Sequence, residues 1–454
     1  MADITVSVND ERFVVPATEP SSAFVAGFLS KVNHNDLLRA LGSTAEKQQG
    51  FMTVPNIEDW FARLQNPIQT VVENGTNDAD ATSPAYQSDV APATANGVNP
   101  RWPNGPDGQE WEHEWYSVHN YLKYGGSAIV AGTGETQNTT SSKQTLINLS
   151  ENLDCIFGSQ GNSANNFDLA DIANTRTDTI AILGASFNGD SVTYLSATGS
   201  TSGLTGIGGV TQSQYTFLVP GTKYHLKTSQ NVNVDKEFNL LQESFLTADA
   251  AGCFARTMSG GRSFKSPAGM DRGKILDVVK IGKVVSDSEY DVLYNMGFNP
   301  VRTFPEGSFL FGDKTGEAIP KEHTWAGQDA EDIPNDSFNA TQLAIPVLTR
   351  VNVVRTFLYL KNIIGQSARN YLFEINDAET RQAFISTIEP TLTTVQNGRG
   401  ISEFKIVCDQ TNNPQSVIDA NEFVVDVFIK PLKSINFIRL RFTNKDSGES
   451  VLEG

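Results

Sequence analysis

Glu110-Trp111-Glu112-His113-Glu114-Trp115-Tyr116-Ser117-Val118-His119-Asn120-Tyr121-Leu122-Lys123-Tyr124, then Gly125-Gly126, then Ser127-Ala128-Ile129-Val130-Ala131, is the stretch that decides the fold class. Glu110 to Tyr124 reads as a helix, and Ser127 to Ala131 as a buried strand. Upstream, Ala23-Phe24-Val25-Ala26-Gly27-Phe28-Leu29 reads as another buried strand. This βαβ rhythm predicts an α/β chain (mixed α+β), with a core built on a mostly parallel sheet flanked by helices.

Toward the N-terminus, Val54 to Leu64 opens like a helix, with Asn56 as N-cap and Glu58 and Asp59 in the first turn, where the helix dipole favours acids. Ile4, Val6 and Val8 alternate with Thr5 and Ser7, and Arg12-Phe13-Val14-Val15 stops at Pro16. This is an isolated strand followed by a polar linker, Thr18 to Ser22. A strand with no hairpin partner beside it must pair with something distant, in this chain or another. Polar, Gly- and Ser/Thr-rich stretches at 66–110, 132–144 and 186–214 read as surface insertions.

Toward the C-terminus, Thr179-Ile180-Ala181-Ile182-Leu183 is a further buried strand, and residues 286–297 read as a helix with Ser286 as N-cap and Gly297 as C-cap. An acidic loop, 326–338, precedes a C-terminal unit. There Val353, Phe357, Leu360, Ile364, Ala368 and Tyr371 recur at spacings of three and four, which places them on one helical face. A second helix follows near 377–396, then a strand Phe404 to Cys408 and strand-like runs Phe423–Ile429 and Asn436–Phe442. The expected division is an N-terminal arm and linker (1–22), a core (23–340), a C-terminal α/β domain (341–420) and C-terminal strands and arm (421–454).

The 454 residues suit two or three domains, and 39% hydrophobic with 19% charged residues describes a globular chain. Lys+Arg 34 against Asp+Glu 52 leaves −18, which argues against nucleic acid or an anionic membrane as partner. The charge is uneven. Residues 341–445 hold 12 Lys/Arg against 9 Asp/Glu, a balance of +3 that leaves −21 for the rest. Arg350, Arg355, Lys361 and Arg369 fall within about 140° of one another beside the apolar stripe, so a basic face is expected there.

Cys155, Cys253 and Cys408 lie far apart in apolar settings and read as buried small hydrophobes rather than zinc or disulfide ligands. The first residues have no basic segment followed by an apolar one, and no apolar run reaches about 18 residues, so a cytoplasmic, membrane-independent chain is expected. His113-Glu114 with His119 has an interval of six where a metal-binding H-E-x-x-H needs four, so these read as structural or exposed histidines. Gly132-Thr133-Gly134 and Gly206-Ile207-Gly208-Gly209 each lack the third glycine of a dinucleotide loop and read as loop glycines. Catalytic, metal and cofactor sites are expected to be absent.

From Phe245 onward the chain resembles the contractile tail sheath proteins of myophages, a family shared with contractile injection systems. Leu246 to Thr257 is similar to the family's segment ending A-G-x-x-A-R-T, Ser266-Pro267-Ala268-Gly269 to its P-A-G turn, and Phe298-Asn299-Pro300-Val301-Arg302 to its N-P-i-r stretch. Arg350 to Arg355 resembles r-V-N-V-r-R, Phe373-Glu374-Ile375-Asn376 resembles F-E-x-N, and Cys408-Asp409 with Asn412-Asn413 resembles C-D-x-x-N-N. The resemblance implies a structural, non-enzymatic subunit that stacks with itself in hexameric rings around a tail tube and contracts to drive the tube through a host envelope. The implied partners are tail tube, baseplate and tail terminator proteins, and the implied location is the virion, after assembly in the host cytoplasm. In this family both termini act as strand-donating arms, which would place Ile4, Val6, Val8, Phe13, Val425, Val427, Ile438, Leu440 and Phe442 between subunits. Linkers Thr18–Ser22 and Pro431–Ser434 would be hinges, and the basic face would meet an acidic tube. An injection-system sheath and a virion-associated cell-wall hydrolase are the alternatives.

Overall fold

The computed structural model describes residues 24–33, 51–63, 108–133, 139–187, 204–205, 213–226, 241–259, 264–318 and 347–434. A seven-stranded sheet organises the core: β1 (Val25–Asn33), β2 (Met52–Val54), β3 (Ser127–Thr133), β4 (Cys155–Gly158), β5 (Ile180–Phe187), β6 (Leu204–Thr205) and β7 (Thr216–Pro220). β3, β1, β4, β5 and β7 lie side by side and parallel, as the βαβ rhythm predicts. β2 closes one edge antiparallel to β3, and β6 pairs antiparallel with the last residues of β5. The chain leaves central β1 for β3 on one side and returns to β4 on the other. Ile180-Ala181-Ile182-Leu183 is buried throughout, because helices cover both faces of a parallel sheet.

The helices are α1 (Ile57–Arg63), α2 (Gly108–Leu122), α3 (Thr139–Asn148), α4 (Ser163–Arg176), α5 (Thr247–Ser259), α6 (Asp287–Asn295), α7 (Val351–Arg369), α8 (Ala378–Asn397) and α9 (Gln415–Asp419). Three caps fall where the sequence places them. Asn56 accepts from the Asp59 amide at 2.8 Å. Ser286 and Glu289 form a reciprocal capping box on α6, and Gly297 takes φ 90° just past its end. Four helices, α3, α4, α5 and α9, are not read as helices in the sequence, and two of them show why. α3 starts inside the polar stretch 132–144, where Thr139-Thr140-Ser141-Ser142 has weak helix propensity. α4 buries Asn165 and Asn166 among its inward residues, so its apolar stripe is broken. Gly132, read as a loop glycine, lies within β3.

A second sheet, ordered β10-β8-β9, is built from β8 (Thr222–Leu226), β9 (Leu241–Phe245) and β10 (Lys280–Ile281). A hairpin of β11 (Val301–Phe304) and β12 (Gly307–Leu310) follows. α5 explains why its motif has the residues it has. Gly252 lies against the Tyr124 ring so closely that a Cβ would overlap it. The Arg256 guanidinium stacks 4.7 Å from the same ring. Tyr124 donates to Asp249 at 2.8 Å and accepts from the Leu276 amide at 2.9 Å. Asp249 also takes the buried Lys223 ammonium at 2.7 Å, and Thr247 donates to the Gly158 carbonyl at 2.9 Å. The block therefore locks the end of α2 to two sheets, which is a packing role.

Candidate assembly interface

The C-terminal unit is made by α7, α8, α9 and a sheet of β13 (Ile401–Val407) and β14 (Asp426–Pro431). α7 begins as a core helix: Val351 to Thr356 are buried on every side. Val351, Val353, Val354 and Leu358 belong to the main core, whereas Leu360 packs in a second cluster with Leu392, Val395 and Ile401. One continuous helix thus lies in both cores. α8 is capped by Asp377, which accepts from the Thr380 amide at 2.8 Å, and buries Phe384, Ile388, Leu392 and Val395 along one face.

β13 and β14 pair antiparallel, with Phe404↔Ile429 and Ile406↔Val427 in register. Those four side chains pack against the second cluster, while Glu403, Lys405, Phe428 and Lys430 line the exposed face. The Asn412-Asn413 block ties the sheet together. The Asn413 side chain exchanges hydrogen bonds with both the carbonyl (2.8 Å) and the amide (2.9 Å) of Val424, and Asn412 donates to the Val407 carbonyl at 2.7 Å. Among the described residues each strand pairs only with the other, so each has an outer edge with no strand beside it. Two strands alone are marginal, and open edges are templates for a further strand.

Ile4, Val6, Val8, Phe13, Ile438, Leu440 and Phe442 lie outside the described residues. Val427 is paired within its own subunit and Val425 is half-buried just before β14, so residues 426–429 of the run 423–429 pair with β13 in this chain instead of leaving it as an arm. Pro431–Ser434 is not a free hinge. The Leu432 amide donates to the Gly400 carbonyl at 3.1 Å, Asn352 donates to the Leu432 carbonyl at 3.0 Å, and the Ser434 hydroxyl donates to Asp313.

The basic face also needs correction. Arg350 turns back to Asp313 at 2.7 Å. Arg355 is buried, its guanidinium 4.8 Å from the Phe254 ring and one nitrogen 3.3 Å from the Phe254 carbonyl. Lys361 is buried and donates to the Thr177 carbonyl at 2.8 Å. Arg369 is half-buried in the last turn. Periodicity places the cations beside the apolar stripe, but the interior on that side is the subunit's own core, with carbonyls and carboxylates to receive them. Burial pushes Arg355 down to about 10 and Lys361 down to about 8, each opposed by a carboxylate, Asp154 and Asp178. Burial raises Asp154 in turn to about 6, against a 2.8 Å hydrogen bond from the Val25 amide. Cys155, Cys253 and Cys408 are free and buried, as expected. Among the described residues no helix is long and apolar enough to cross a membrane.

The sheet core with the α7–β14 unit docked on it is the fold of contractile sheath subunits. It matches a chain of the anti-feeding prophage (AFP) baseplate with a TM-score of 0.59 at 13% identity, over 98% of this chain and 100% of that one. The AFP helical sheath in its contracted state gives 0.58 at 12% identity, over 97% and 98%. The contracted PVC sheath complex of an extracellular contractile injection system gives 0.58 at 15%, over 98% of both chains. Within that fold, residues 346–445 match the family of the phage tail sheath C-terminal domain, which bears out the tail-sheath resemblance read from the sequence. The chain is 41% identical over 211 residues to the tail sheath protein of Vibrio phage KVP40 and 39% identical over 204 residues to that of Enterobacteria phage T4. Each match takes in 45% of this chain but only 28% and 27% of those relatives, so the chain covers little more than a quarter of their length.

Proposed function

We propose that this chain is the structural subunit of a contractile phage tail sheath, working in the virion after assembly in the host cytoplasm. Copies stack as a helical array of hexameric rings around a tail tube protein, with baseplate and tail terminator proteins at the ends. Contraction drives the tube through the host envelope. The observation that carries this reading is the end-to-end fold match to contracted sheath subunits. The phage assignment, in preference to an injection system, rests on sequence: relatives at 41% and 39% identity are phage proteins, whereas the injection-system chains are 12–15% identical. The role is mechanical and non-enzymatic. Its energy comes from the difference between two packings of the same subunits, with a kinetic barrier holding the extended one.

The open edges of β13 and β14 are the receiving sites for strands from neighbouring copies, with 4–15 and 436–442 as donors. Main-chain hydrogen bonds of that kind survive rotation of the bodies they join. The hinges lie at Thr18–Ser22 and beyond Ser434. Of the basic set only Arg369 is retained for the tube. Deleting residues 1–16 tests the arms: the full chain is expected to form rings or tubes by negative-stain microscopy, and the deletion to stay monomeric with an unchanged Tm. Normal tubes from the deletion would overturn the arm assignment. A full-length monomer that degrades peptidoglycan would overturn the sheath reading.

A further inference from the structure

The turn between α7 and α8 displays two large apolar side chains to solvent, Phe373 at 92% and Ile375 at 76% exposed. Phe373 holds a left-handed backbone, φ 70°, which costs energy for a residue with a Cβ. The tip is bound to the subunit below it: the Asn376 side chain donates to the Glu422 carbonyl at 2.8 Å, and Tyr371 and Phe423 both pack on the buried Phe384. Its exposed flanks are acidic, with Glu374, Asp377 and Glu379 and no cation from 370 to 380. Apolar side chains presented in this way on a firm base are a contact surface waiting for a partner.

A surface of opposite charge lies elsewhere on the same chain. Val279 and Val284, 54% and 64% exposed, flank β10. Residues 271–284 contain Arg272, Lys274, Lys280 and Lys283 against two acids, Asp271, which faces Arg272 at 3.7 Å, and Asp277, which pairs with Lys123. Lys283 is engaged by Glu289 at 2.9 Å; Lys274 and Lys280 are exposed, the Lys280 ammonium 5.7 Å from the Tyr224 ring. Both surfaces are exposed in one subunit, so a contact between them joins two copies.

We infer that the Phe373–Ile375 tip of one subunit docks on the Val279–Lys280–Val284 surface of another, resting on the sheath reading above. Apolar side chains meet in the middle, and Glu374 faces Lys280. The contact joins different patches on the two copies, which is the kind that propagates a helical polymer instead of closing a dimer. It is independent of the strand edges and of the tube.

The test is the polymerisation threshold of the full chain without tube, read by sedimentation and negative stain. Glu374→Lys and Lys280→Glu, both at exposed positions, are each expected to leave Tm unchanged and raise the threshold at least about tenfold, a loss of about 1.4 kcal/mol per contact. Combining them is expected to restore it. Phe373→Ser with Ile375→Ser is expected to raise it as well. Variants that polymerise like the unaltered chain, or a charge swap that fails to rescue, overturn the contact. An unaltered chain that forms no polymer at any concentration overturns the sheath reading itself, which is a separate result.

Discussion

At the residue scale, the α7 cations show how a charge pattern can be read correctly and its direction missed. Arg355 is the clearest case. Of its two terminal guanidinium nitrogens, Nη1 is buried without a hydrogen-bond partner and Nη2 reaches the Phe254 carbonyl at 3.3 Å. A buried charge this poorly satisfied contributes little net stability, because its desolvation offsets what its partners return. Arg355→Met, which keeps the length and removes the charge, is therefore expected to change Tm by no more than a few degrees. Arg355→Glu places a second acid near Asp154 and is expected to cost about 3–5 kcal/mol or abolish soluble expression. Thermal melts of the two variants check this, and a large loss in the Met variant would show that the charge itself is needed. The helix and its stripe are legible because periodicity is local. That Arg355 finds a carbonyl on α5 and Lys361 one at the end of α4 depends on contacts far apart in sequence, and no spacing rule carries them.

At the element scale, the β13–β14 sheet is held by the Asn413 side chain as well as by its own ladder. Asn413→Ala removes both hydrogen bonds to Val424 and leaves a half-buried amide and carbonyl without that partner, at about 1–3 kcal/mol. The loss is expected to be local. Hydrogen exchange should speed up in β14 and the 409–424 connection while β1, β4 and β5 stay protected, and uniform loss of protection would contradict this. The elements read from sequence are those with strong local signals: α2, β3, β5, α6 with its capping box, α7, and α8 behind Asp377. Among those missed, α3 and α4 have polar or interrupted inner faces, β8 and β9 bury Lys223, His225, Gln242 and Ser244, and β7 is an apolar run too short to tell strand from helix; all are held by tertiary partners. The Asn166 side chain, for example, bonds both the amide and the carbonyl of Gly184.

At the scale of the whole molecule, α7 lies in both hydrophobic clusters, so the core and the C-terminal unit are expected to unfold together. Leu392→Ala, in the second cluster, should cost about 2–5 kcal/mol and lower one shared calorimetric transition. Separation into two peaks would mean that the two clusters are independent. The same rigidity bears on Ser434. Its hydroxyl meets Asp313, which also holds Arg350 at 2.7 Å and Tyr294 at 3.2 Å, while Leu432 is fastened to Gly400 and Asn352. The last described residue is thus moored to α6, α7 and the 313 segment at once. Tension arriving through the chain beyond Ser434 would load three elements in parallel, and would tow the subunit as a single piece before it could peel β14 away from β13.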